Sequence, residues 1–205
     1  MPINPLCLRL NFPDTPARSI PSLHGPLLPV ESGWKESAKR QAAVAFLFIP
    51  SPSPEDPLRL VLTKRSMNLS SHKGQIAFAG GRRDQQDRSP ACTAARETEE
   101  ETGLSQSGLT ALAQLPTVVS IDGSEVTPVI MTGLFEENDF KINPKEVDHL
   151  ILAEWTSFTA KQKQKFSFPW KGKERTSYLF EYQDFKVWGL TALMISNAQL
   201  ESQRK

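Results

Sequence analysis

Cysteine is scarce in this chain. Cys7 and Cys92 are the only two in 205 residues, which excludes a disulfide framework as the organising principle. The three histidines, His24, His72 and His149, are scattered without zinc-site spacing. No apolar run approaches the length of a membrane-spanning helix, and no continuous apolar signal segment opens the chain. The expectation is a cytoplasmic protein with no membrane partner. Net charge is also lacking: 24 Lys and Arg against 23 Asp and Glu leave +1, so nothing points to general affinity for nucleic acid. No internal repeat and no second domain is visible. What remains is length enough for one domain with a real core, and 16 prolines, many of them before residue 60.

The most informative stretch is 80–104, GGRRDQQDRSPACTAARETEEETGL. Ser89 followed by Pro90 is a helix start, with Ser as N-cap and Pro at the first helical position. Gly103 is a helix stop, because Gly tolerates the left-handed conformation just past the last turn. The helix between them runs about three and a half turns. Glu97, Glu100 and Glu101 stand at i, i+3 and i+4 and share one face, while Glu99 falls nearly opposite. Arg96 lies one turn before Glu99 and Glu100, at pairing distance from either. Ala91, Ala94, Ala95, Thr98 and Thr102 are small enough for close packing.

Taken alone, an acidic run on a helix is an ordinary solvated face. Here the acids crowd the C-terminal half, where the helix dipole disfavours negative charge and like charges at i,i+4 repel. A bound divalent cation removes that penalty, and hard ions such as Mg²⁺ or Mn²⁺ take carboxylate oxygens together with substrate phosphates. Lys64, Arg65, Lys73, Arg82 and Arg83 precede the helix, which suits a polyanionic substrate meeting a metal.

The stretch resembles the Nudix box, G-x5-E-x7-R-E-U-x-E-E-x-G-U. The second half is complete from Arg96 to Leu104, with Thr98 standing where an aliphatic residue is usual. In the first half, counting from Gly81, Asp87 replaces the first Glu and the gap to Arg96 is one residue longer. Upstream, Leu62, Thr63, Arg65, Ser66, Leu69, His72, Gly74, Ile76, Phe78, Gly80 and Gly81 resemble the signature of the coenzyme A pyrophosphatase subgroup, with Ala79 where that subgroup has Pro. The subgroup commonly carries the Asp and the longer loop.

The remaining segments set the expected organisation. Residues 1–35 carry a proline every few positions and exclude a long helix; they read as an arm with a packing or dimer role, so a homodimer is one expected partner state. Residues 36–205 form the expected domain. The apolar run 42–49 reads as a buried strand, hairpin-paired with 58–64, and 74–79 as a short strand entering the glycine pair. Strands are expected at 109–115 and 126–134, the latter at an edge or bulge because of Pro128. Segment 146–155 reads as helix or strand at its start, and 156–165 as a solvated helix. Late strands at 166–170, 178–182 and 185–188, the last two joined by a turn at Gln183 and Asp184, lead into a closing helix at 190–200. Composition alone says mixed α and β; the resemblance implies an α/β fold, a Nudix-type α/β/α sandwich with a mixed β-sheet.

The resemblance further implies a metal-dependent pyrophosphate hydrolase acting on a nucleoside diphosphate derivative. Glu97, Glu100 and Glu101 would hold Mg²⁺ or Mn²⁺, with Glu100, Glu101 and Arg96 as the catalytic set. Arg65 is the candidate for a substrate phosphate, Gly80 and Gly81 for close backbone approach, and His72 for capping its loop. Glu125, Glu137, Glu146 and Glu101 are the candidates for a general base. The implied substrate is coenzyme A or a thioester of it; ADP-ribose or a nucleoside diphosphate sugar is the alternative, and a silent nucleotide sensor a third.

Overall fold

The computed structural model describes residues 29–30, 33–34, 40–170 and 172–199. Most of the expected arm, and the division of the chain at residue 35, therefore lie outside the described residues. In order come β1 Gln41–Ile49, β2 Arg59–Arg65, β3 Ile76–Ala77, β4 Gly80–Arg82, α1 Pro90–Thr102, β5 Thr110–Gln114, β6 Val118–Val119, β7 Glu125–Thr132, β8 Val147–Glu154, β9 Gln164–Trp170, β10 Lys173–Tyr182, β11 Phe185–Trp188 and α2 Gly189–Ala198.

β1 is the hub because both of its faces are apolar. Ala43, Ala45, Leu47 and Ile49 point to one side, where they pack with Ala91 and Ala94 of α1. Phe46 and Phe48 point to the other, where they pack with Phe180, Val187, Met194 and Ile195 from the late strands and α2. A run apolar on both faces suits a strand covered on both sides. Small residues line the α1 side, letting the helix lie close. The opposite side is aromatic: Phe46 stacks on Phe78 with ring centroids 4.6 Å apart, and Trp155 meets Phe48 edge-on at 5.4 Å. The layers are thus α1, a mixed sheet, and a third layer made of α2 with the three-stranded sheet β11-β10-β9.

The sheet is mixed and forked. β1 runs parallel to β7 through eight residue pairs, from Gln41 opposite Glu125 to Phe48 opposite Thr132. Its other edge is shared by two antiparallel neighbours. β4 pairs with Ala42, Ala43 and Val44, whereas β2 pairs only with Phe48 and Ile49. β2 then leaves β1 to pair along its length with β8, and at Thr63 and Lys64 with β3. The chain segment from β3 to β4 crosses the fork. This brings the end of β2, the glycine pair and the C-terminal half of α1 together.

Two strand expectations change. Pro128 sits in a central strand, since β7 has β1 on one side and β5 and β6 on the other. The Pro128 carbonyl accepts from the Leu115 N–H at 2.9 Å on the β5 side. In an extended residue the missing proline N–H faces the same way, and there the partner is interrupted between Gln114 and Val118. The break lies in the neighbour, so the proline needs neither edge nor bulge. Residues 156–165 are no helix: a short 3-10 turn at Trp155–Ser157 leads into β9, whose pairing with β10 runs from Gln164 opposite Leu179 to Trp170 opposite Lys173. The open start of 146–155 resolves as strand, because β2 supplies a partner from Arg59 to Arg65.

Candidate active site

α1 forms where its local signals place it. The Ser89 hydroxyl accepts the Cys92 N–H at 3.3 Å, Pro90 occupies the first turn, and Gly103 takes a left-handed φ of 76° while donating to the Glu99 carbonyl at 2.9 Å. Thr98, where the family pattern has an aliphatic residue, is fully buried, and its hydroxyl is satisfied by the Ala94 carbonyl at 2.7 Å.

Arg96 organises one side of the helix. Its guanidinium donates to Asp87 from Nη2 at 2.9 Å and from Nε at 3.3 Å. Nη1 donates to Glu97 at 2.9 Å and Glu100 at 3.1 Å, and Nη2 also reaches the Arg82 carbonyl at 3.0 Å. Of the two acids one turn on, Arg96 takes Glu100; Glu99 instead accepts from the Gln106 side chain and backbone. Asp87 is buried and also accepts from the Asp84 N–H at 2.9 Å and the Thr93 hydroxyl at 2.7 Å. Burial pushes the Asp87 carboxyl up, but these hydrogen bonds outweigh it and hold its pKa below the ordinary value. The bond to Asp87 leads the causes that hold the Arg96 guanidinium above its usual range. With both oxygens engaged, Asp87 is a tie between loop and helix.

Glu101 stands in the opposite condition. It is 3% exposed, and its Oε2 makes no hydrogen bond among the described residues. The nearest cation is Arg65, whose Nη1 lies 3.9 Å from Glu101 Oε1 and whose Nε is likewise buried without a partner among them. Burial drives the Glu101 pKa up to about 8; Arg65 and the Gly80 N–H pull it down, while the charges of Glu97 and Glu146 push it further up. Glu97 is raised too, first by burial, against the opposing pull of Arg96, with Glu100 and Glu146 adding to the rise.

The fork assembles these groups. Arg65 follows a register shift at the end of β2 and pairs with Val147, and the Ser66 N–H donates to the Glu146 carbonyl at 2.8 Å. Glu146 is thereby the late acid carried to the helix acids. Glu137 pairs instead with Arg59 at the far end of β2, and Glu125 opens β7 beside Arg40, its N–H donating to the Arg40 carbonyl. Sequence reasoning proposed all three without separating them. The separating signal is the β2–β8 ladder, which is not local. His72 is exposed, with φ of 56°, and its ring meets the Gln75 side chain at 3.0 Å inside its own loop. The glycines serve packing. A Cβ on Gly80 would stand 2.5 Å from the Ala43 carbonyl oxygen, and one on Gly81 would overlap the Glu97 carboxylate.

These features fit a hard divalent cation. The donors are carboxylate oxygens, one is buried without a partner, and Gly81 leaves the space its side chain would fill against Glu97. Among the described residues no group of three His, Cys, Asp or Glu is already gathered as a metal cluster; Arg96 holds an oxygen of both Glu97 and Glu100. No helix among them is long and apolar enough to cross a membrane.

Residues 39–179 match the NUDIX domain family. The chain is 37% identical over 165 residues to the protein called uncharacterized Nudix hydrolase NudL of Pectobacterium atrosepticum, covering 80% of this chain and 83% of the relative. It is 32% identical over 167 residues to Nudix hydrolase 22, chloroplastic, of Arabidopsis thaliana, covering 78% of this chain but about half, 54%, of that relative. Among solved structures, the Nudix hydrolase RenU of M. smegmatis aligns with a TM-score of 0.49 at 24% identity, over 64% of this chain and 81% of that one. The chain belongs to the Nudix family, and its fold is the α/β Nudix architecture expected from the box. It is a hydrolase of pyrophosphate bonds, a class that generally uses divalent ions such as Mg²⁺ or Mn²⁺.

Proposed function

We propose that this enzyme cleaves the pyrophosphate of coenzyme A or its thioesters, giving a 4'-phosphopantetheine species and adenosine 3',5'-bisphosphate. The observation that carries the reading is the meeting of two segments far apart in sequence. Arg65, from the upstream signature, stands 3.9 Å from Glu101 of the box helix, which the Gly80 N–H also reaches. A guanidinium with a buried, unengaged N–H is suited to a phosphate oxygen, where charge-assisted bonds are strong and frequently bidentate.

Glu97, Glu100 and Glu101 would hold Mg²⁺ or Mn²⁺, with the Gly81 carbonyl beside them. Such an ion, when bound, neutralises phosphate charge and lowers the pKa of a coordinated water. Arg96 orients Glu97 and Glu100 and is itself oriented by Asp87. Arg65 binds the pyrophosphate and offsets its charge. Glu146, whose charge reaches both Glu97 and Glu101, is the base assigned to the attacking water. Water adds at phosphorus, its proton passes to the base, and the P–O bond to the leaving phosphate breaks. The enzyme acts alone or as a homodimer through residues 1–35, without nucleic acid or membrane, in the cytoplasm.

The test is product analysis by HPLC. Purified protein is incubated with Mg²⁺ or Mn²⁺ and, separately, coenzyme A, ADP-ribose and a UDP-sugar, beside a Glu101→Gln control. Adenosine 3',5'-bisphosphate from coenzyme A, lost in the control, is the expected result. Cleavage of ADP-ribose or the UDP-sugar alone overturns the substrate and keeps the chemistry. No product from any of the three under either metal overturns the substrate and favours an untested substrate or the sensor reading.

A further inference from the structure

Two residues upstream of β1, Val30 and Trp34, pack against the apolar cluster on the α1 side of the sheet. Each is also held by a polar contact to a distant part of the chain. Gln114 of β5 donates from Nε2 to the Val30 carbonyl at 3.1 Å. The Trp34 indole donates from Nε1 to the Asp87 carbonyl at 3.1 Å, across 53 positions of sequence. The Arg83 guanidinium covers the Trp34 ring, 5.4 Å from its centroid.

The place of that indole bond is what gives it meaning. Residues 82–86 and 88 are exposed, and Asp87 is the one buried residue among them. Its carboxylate sets the Arg96 guanidinium, which sets Glu97 and Glu100. The Asp87 side chain keeps that aim only while its backbone is fixed. From the loop itself comes one turn bond, Asp87 N–H to the Asp84 carbonyl at 3.1 Å. The indole supplies a second anchor, from outside the loop and from a rigid, half-buried ring.

We propose that Trp34 is a positioning residue for the cation site: it pins the Asp87 backbone, so that Asp87 aims Arg96 and Arg96 spaces Glu97 and Glu100. The inference rests on the metal reading given above. A relay of this kind acts on affinity for the ion, since partners beyond the ligands tune metal sites by about 10- to 100-fold when directly bonded to them. Trp34 is two side chains further out, so a smaller effect, about 3- to 10-fold, is expected.

Trp34→Phe removes the N–H while keeping a ring against Arg83 and the apolar cluster. Arg83→Met removes the guanidinium and leaves the N–H. Mn²⁺ binding to substrate-free protein, followed by EPR, is expected to weaken about 3- to 10-fold in Trp34→Phe and to stay unchanged in Arg83→Met. Hydrogen exchange in metal-free protein is expected to accelerate across residues 84–93 in Trp34→Phe alone. Thermal unfolding of each variant checks that the fold is retained, and Trp34→His, which keeps a ring N–H, is expected to recover part of the affinity. If Trp34→Phe binds Mn²⁺ as the natural sequence does, or if Arg83→Met loses as much, the positioning role is wrong and the metal reading stands. If the natural sequence binds no Mn²⁺, both fail together.

Discussion

The two flanks of α1 carry the same chemistry, carboxylates facing an arginine, in opposite conditions. On the Asp87 flank both oxygens of Asp87 are used, Arg96 bonds four partners, and the Asp87 pKa falls. On the Glu101 flank the arginine stands off at 3.9 Å, one polar atom of each partner is buried and unmatched, and the Glu101 pKa rises to about 8. A satisfied network rigidifies, and an unsatisfied buried one is costly. On the reading proposed above, the first flank holds the site in shape and the second meets ligands that arrive from outside.

The comparison breaks at Glu101 if it is wrong. Glu101→Gln is expected to lower metal-dependent hydrolysis by at least about 100-fold, about 2.7 kcal/mol of transition-state stabilisation, with little loss of stability; steady-state rates beside urea unfolding check both parts. A variant that unfolds while the surviving fraction keeps full activity would make Glu101 structural. The other flank should respond the other way. Arg96→Met leaves buried Asp87 without its partner and is expected to cost about 2–3 kcal/mol of stability, less than a fully buried pair because Arg96 is one-quarter exposed. An unchanged urea midpoint would show that flank to be expendable.

Gly81→Ala sharpens the comparison, because its methyl displaces the Glu97 carboxylate. Affinity for Mn²⁺ is expected to fall about 10-fold, and titration by EPR reads it directly. The gentlest effect is spread over pH. In the metal-free protein Glu101 holds its proton to about 8, against 4.5 for an ordinary glutamate. The folded chain therefore binds that proton more tightly than the unfolded one. Its contribution is fully present below pH 4.5 and is lost as pH rises through about 8. Tm measured without metal is expected to decline across that window, and the decline to flatten in Glu101→Gln. Equal slopes in the two proteins would remove Glu101 from the account.

Legibility followed the range of the forces involved. α1 could be read to the residue because its start and stop are local: a serine hydroxyl, a proline and a glycine within fifteen positions. The face shared by Glu97, Glu100 and Glu101 followed from helix geometry alone. The likeness of 62–81 to the family signature marked Arg65, but its neighbour Glu146 arrives through the β2–β8 ladder, which no local pattern announces. Asp87 was visible only as a departure from the box, since its part as a tie depends on Thr93, Arg96 and the loop at once. Segment 156–165 misled because Lys and Gln favour a helix in isolation, while the partner strand β10 lies further along the chain.

Pro128 has a consequence for how the chain finds its alignment. Its carbonyl and its missing donor face the gap between β5 and β6, where the Leu115 N–H reaches that carbonyl and no strand pairing continues. Slide β7 by two residues in either direction and the prolyl ring meets an intact strand, leaving an acceptor stranded inside the protein at about 1–3 kcal/mol. A parallel pairing of eight apolar-rich residues has few features to reject a neighbouring alignment. The single imino acid in β7 works as the tooth of a key, turning only in the lock that the break at Leu115, Pro116 and Thr117 provides.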